Sequence, residues 1–110
     1  MTAFTPAEVA KQLAHGKHQQ PETAILRVVA GYLRQRQWFV VRHQQGLGCH
    51  KGIADLSATK DSRTVWCEIK TATGKQSEYQ VEFQYQVESH GGEYIVARCL
   101  EDAIAMDKLK

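Results

Sequence analysis

The sequence predicts a mixed α/β domain of the α+β kind, in which a mixed sheet is flanked by helices. Three observations predict it. Apolar residues at Ile25, Val28, Val29, Tyr32 and Leu33 follow helical spacing. Three short runs rich in β-branched and aromatic residues then follow closely, at 38–42, 53–58 and 64–70. A second helical stretch separates these from a fourth such run at 94–99. Strands joined by tight turns pair antiparallel, whereas a strand reached through a helix can return parallel, so both pairings are expected in one sheet.

Taken in order, residues 1–20 are weakly patterned and form an N-terminal extension, with room for a short helix from Pro6 to His15. The domain proper spans 21–110. Pro21 opens its first helix, because proline is well tolerated in a first helical turn. Arg34, Gln35 and Arg36 mark the far end of that helix. Trp38–Arg42 reads as a strand, and Gln44–Gly52, with three glycines, as a loop. Ile53–Ala58 and Thr64–Lys70 are strands joined by a charged turn at Thr59–Arg63, which suggests a hairpin. After a loop at Thr71–Gln76, Ser77 caps a helix that runs to about His90 and stops at Gly91 and Gly92. Tyr94–Cys99 is the fourth strand. Leu100–Leu109 forms a last helix, with Ala103, Ile104 and Met106 as its packing contacts.

The composition sets bounds. A chain of 110 residues with 43% apolar and 24% charged residues suits one globular core. No apolar run is long enough to cross a bilayer, and the N-terminus lacks a signal-peptide pattern, so an intracellular, cytoplasmic setting is expected. The three cysteines are odd in number and far apart, with no C-x-x-C pair, and indicate neither a zinc site nor a disulfide framework. The net charge of +2 neither requires nor excludes nucleic acid.

Charge in the strands is the unusual feature. Alternation puts Val65, Cys67 and Ile69 on one face of their strand, and Trp66, Glu68 and Lys70 on the other. In the partner strand, Ala54, Leu56 and Ala58 share the apolar face, and Ile53, Asp55 and Ser57 the opposite one. Pairing these strands gathers Asp55, Glu68 and Lys70 at one place. Two adjacent carboxylates repel, and a divalent cation relieves the conflict. Magnesium takes one or two carboxylates together with waters and substrate phosphate, and Lys70 would face the same reacting centre. This is a chemistry of phosphodiester hydrolysis. The trio alone also describes a surface salt bridge on a solvated sheet face.

Around the trio stand the runs GIADL, WCEIK and TGKQSEYQVEF. Together they resemble the PD-(D/E)xK nuclease superfamily, and within it the VRR-NUC family, which is related to Holliday-junction resolvases. The resemblance covers roughly Glu22 to Ala103 and implies a restriction-endonuclease-like core of order α-β-β-β-α-β, followed here by a C-terminal helix. It makes Asp55 and Glu68 metal ligands, with the backbone carbonyl of Ile69 beside them, and Lys70 the catalytic lysine. The implied cofactor is Mg2+ or Mn2+. Gln80 matches a glutamine near the family's metal site, while Ser77-x-x-Gln80 is equally a capping box. Glu22 matches an acidic first-helix residue directed at the metal, and equally a first-turn glutamate that complements the helix dipole. Where the motif has proline, this chain has Ala54.

Phosphate contacts are expected from Lys51 and Lys75, which flank the acidic motif, and from His50, Arg42 and His43 near the same loop. So small a domain offers little surface to branched DNA. A homodimer with two sites is therefore expected, with Trp38, Phe39 and the last helix as interface candidates or core. The resulting expectation is a structure-selective DNA endonuclease, acting on branched or Holliday-junction DNA in a bacterial or phage-infected cell. The alternatives are a nicking, flap or restriction-type nuclease, and a non-catalytic DNA-binding module with the same fold.

Overall fold

The computed structural model describes residues 20–109. The expected helix at Pro6–His15 lies outside the described residues. Elements follow the order α1 (Glu22–Gln35), β1 (Phe39–Arg42), β2 (Leu56–Lys60), β3 (Arg63–Ile69), α2 (Glu78–Ser89), β4 (Glu93–Ala97) and α3 (Leu100–Lys108). The four strands form one sheet in sequence order. β1–β2 and β2–β3 pair antiparallel, and β3–β4 pair parallel, so the sheet is mixed as predicted.

The two faces of the sheet bury different things. Leu56, Ala58, Val65, Cys67 and Ile69 meet α1 and α3 in the main core, where Val29, Leu33 and Ala103 have no exposed surface. Cys67 behaves there as a small apolar side chain, and burial pushes its thiol well up. On the other face Phe83 of α2 packs with Ala54 and Tyr94, with Ile53, Trp66 and Val96 around them. No described helix is long and apolar enough to cross a membrane.

Element ends depart from the sequence reading for local reasons. Pro21 is the N-cap of α1 and lies just before its first turn. The C-terminus of α1 needs no glycine. Gln37 takes a φ of 73°, its N–H donates to the Arg34 carbonyl, and the Trp38 N–H donates to Leu33. That is a Schellman stop built on a non-glycine residue. Trp38 therefore belongs to the helix end rather than to β1, and its indole Nε1 donates to Asp107 at 2.7 Å. Asp107 also accepts from Arg36 Nε at 3.0 Å and faces Lys60 Nζ at 3.8 Å, which ties α3 to the start of the sheet. Trp38 is buried in the main core, the core alternative of its sequence reading, whereas Phe39 on the edge strand is 70% exposed among the described residues.

The hairpin turn is tighter than the expected five residues. Asp61 and Ser62 both have positive φ, the two-residue geometry that suits the twist of paired strands. β2 and β3 consequently pair up to Lys60 and Arg63. At the other end β2 begins at Leu56 rather than Ile53. Strand alternation does not extend back to Ala54, which joins Phe83 and Tyr94 instead of Leu56 and Ala58. β4 ends at Ala97, because the Arg98 N–H donates to Asp102 Oδ2 at 2.8 Å and Cys99 becomes the N-cap of α3.

Candidate functional site

The site lies where β2 begins and β3 ends. Leu56 pairs with Cys67, so continuing the ladder by one step sets Asp55 opposite Glu68. The Asp55 side chain takes over the ladder: its Oδ2 accepts from the Ile69 N–H at 2.7 Å. Its main-chain carbonyl still accepts from the His43 N–H at 2.8 Å, which fixes Asp55 from both neighbouring strands.

Glu68 is 1% exposed and is the one buried charged residue of the described core. Its Oε2 accepts from Gln80 Nε2 at 2.7 Å and lies 3.9 Å from Lys70 Nζ. Its Oε1 is buried and has no hydrogen-bond partner. A carboxylate so placed is costly. Burial above all, and then the negative charge of Asp55, push the Glu68 carboxyl up to about 8, while Lys70 pulls the other way. Glu22 adds a smaller repulsion. It is exposed in the first turn of α1, yet its charge reaches Glu68. Asp55, Glu68 and Lys70 thus meet as the strand alternation required, and Ile69 lies between the last two.

Gln80 makes the cap and reaches Glu68 with the same side chain. Its Oε1 accepts from the Ser77 N–H at 2.8 Å and the Ser77 Oγ accepts from the Gln80 N–H at 3.2 Å, a reciprocal capping box. The amide's other end, Nε2, is left free to reach Glu68. The sequence reading set these roles against each other, but a primary amide has separate donor and acceptor ends.

The loop from His43 to Ala54 lies against the first turns of α2. Gly52 has a φ of +77°, and a methyl group built there would collide with the Tyr79 carbonyl. Gly52→Ala is therefore expected to cost about 2 kcal/mol or more, through an unfavourable backbone conformation and overpacking against rigid main chain. Denaturant unfolding checks this, and an unchanged midpoint would contradict the close approach.

The five expected phosphate contacts fall into two sets. Arg42, Lys51 and Lys75 are exposed, at the end of β1, in the glycine loop and in the β3–α2 loop respectively. Lys51 Nζ sits 4.9 Å from the centre of the exposed Tyr79 ring. The two histidines lean on the aromatic layer under α2. His43 stacks on Trp66 with its Nε2 3.0 Å from Ser57 Oγ, and burial pulls its imidazole below the ordinary value. His50 is exposed and presents its ring to the edge of Phe83.

The sequence reading missed Arg98. One step beyond β4, its Nη1 donates to the carbonyls of Thr71 at 2.6 Å and Gly74 at 2.7 Å, in the loop that follows Lys70. Only the parallel register of β3 and β4 brings it there, so no local pattern announced it.

An oxygen-only donor set fits a hard divalent cation. Among the described residues no three His, Cys, Asp or Glu side chains converge as a complete cage. Asp55 and Glu68 meet the one or two carboxylates magnesium asks of a protein, and Glu68 Oε1 is a buried acceptor with nothing to accept. Comparison with protein-family models, with curated proteins and with solved structures finds no match.

Proposed function

We propose that this chain is a magnesium- or manganese-dependent endodeoxyribonuclease that acts on branched DNA such as a Holliday junction, working as a homodimer. The observation that carries the reading is the orphaned, buried Glu68 Oε1 beside Asp55, with Lys70 Nζ 3.9 Å from the other oxygen of the same carboxylate. The arrangement is costly to folding, since it leaves Glu68 Oε1 unpaired and sets two acids together.

In this reading Asp55, Glu68 and the Ile69 carbonyl would hold the cation. A divalent ion held there would supply charge stabilisation to the phosphate and an oriented water. Gln80 holds Glu68 from behind, and the buried Ile69 N–H holds Asp55, so neither carboxylate has to be ordered when substrate arrives. Lys70 offers a positive charge to the phosphate oxygens. Lys51 and Lys75, exposed in the two neighbouring loops, position the backbone of the DNA.

The test is cleavage of labelled junction, flap, linear duplex and single-stranded DNA, with and without Mg2+ or Mn2+, beside calorimetry of the same ions. Metal-dependent cutting of the junction alone is the expected result. Equal cutting of linear duplex would replace the junction substrate by a nicking or restriction-type one. Absence of ion binding and of cutting would leave a DNA-binding module.

A further inference from the structure

We infer that Arg98 is the positioning residue for Lys70, acting through the turn that follows it. Lys70 extends the parallel β3–β4 ladder by one bond, its N–H donating to the Ala97 carbonyl at 3.1 Å. Its chain then enters a turn closed by the Gly74 N–H on the Thr71 carbonyl at 3.2 Å. The Lys70 stem lies along this turn: a Cβ built on Gly74 would sit 3.5 Å from Lys70 Cδ and 2.9 Å from Thr71 Oγ1. The lysine stem therefore runs within contact distance of Gly74, while the atom a Cβ would crowd is Thr71 Oγ1.

One guanidinium nitrogen fastens both ends of that turn, on the carbonyls of Thr71 and Gly74. Arg98 is itself held from below, where Asp102 Oδ2 takes its backbone N–H. The wall beside Lys70 is therefore tied to β4 and α3 rather than floating on its own loop. A long lysine has much rotamer freedom to lose, and confining its stem is what keeps the ammonium beside Glu68. The Lys70 side chain is accordingly only 12% exposed, although it stands at a strand end.

The inference concerns the placement of one amine, and its catalytic consequence rests on the nuclease reading. Two measurements separate them. The first is the rate at which a lysine-directed acylating reagent modifies Lys70, followed by peptide mass spectrometry, with Lys60 as internal reference at 29% exposure. Arg98→Ala is expected to raise Lys70 modification several-fold and leave Lys60 unchanged. Arg98→Lys, whose ammonium can replace part of the contact, is expected to fall between. An unchanged Lys70 rate, or an equal rise at both lysines, would overturn the assignment.

The second measurement is steady-state cleavage. Misplacing a reacting group by about 1 Å costs on the order of 100-fold. Arg98→Ala should therefore lower kcat tenfold to a hundredfold on that scale while KM stays within about threefold. A loss confined to KM would overturn the inference, because it would place Arg98 in DNA binding. Should the wild-type chain cut no DNA, the nuclease reading falls and the labelling result still decides the placement of Lys70.

Discussion

Lys70→Met and Asp55→Asn are each expected to lower single-turnover DNA cleavage by a factor of about 1,000 or more, while the domain stays folded. Removing one charged stabiliser of a reacting centre costs roughly 100- to 1,000-fold, and loss of an ion-holding carboxylate adds to that. Neither change has to disturb packing. Methionine keeps an unbranched stem that can lie along Gly74 as the lysine stem does. In Asp55→Asn the side-chain oxygen can still accept from the Ile69 N–H, so the bond that closes the sheet at that point survives. The two variants should differ in ion binding. Asp55→Asn is expected to weaken Mg2+ or Mn2+ in calorimetry, and Lys70→Met to leave it nearly intact. Cleavage at the wild-type rate by either purified variant would remove the mechanism.

Without metal, the contribution of Glu68 to stability is expected to fall as pH rises from about 4.5 to about 8, in the opposite sense to most carboxylates and to the partly buried imidazole of His43. The Glu68 carboxyl is pushed from 4.5 up to about 8, first by burial and then by Asp55. A group that binds its proton more tightly when folded contributes stability that is complete below its unfolded value. That contribution falls as pH climbs and is gone above the folded value. The slope in this window is on the order of 1 kcal/mol per pH unit. Glu68→Gln should flatten it, because the amide is neutral throughout and still accepts from Gln80. In chelator at pH 9 the glutamine variant is therefore expected to be the more stable protein, although it should cut no DNA. Millimolar Mg2+ should reverse the order by stabilising only the wild type, whose ion affinity rises with pH as the bound proton is given up. Denaturant titrations of both proteins from pH 5 to 9 check this, and parallel curves would count against an uncompensated Glu68.

Much of this was legible because it depends on period. Strand alternation alone sends Glu68 and Lys70 to one side and Cys67 and Ile69 to the other, whatever the distant partners are. The stop of α2 was legible for a similar reason, since Gly91 takes the positive φ that glycine accepts freely. The stop of α1 was not. Gln37 takes the same conformation against its propensity, and what compensates is Trp38 packing into the core beside Leu33, a tertiary effect. Ala54 was misplaced because alternation was carried one step past the point where the chain ceases to be a strand. The bonds of Arg98 to the Thr71–Gly74 turn depend on elements far apart in the chain, and no short window contains them.

Gln80 has a consequence for how this protein can change over generations. Its one amide both closes the first turn of a helix and steadies an acid. A replacement at this position therefore cannot change the hold on Glu68 without also loosening the start of that helix. Drift at Ser77, on the surface, would be felt at the buried Glu68 through the same planar group, so an exposed residue is constrained by one it does not touch.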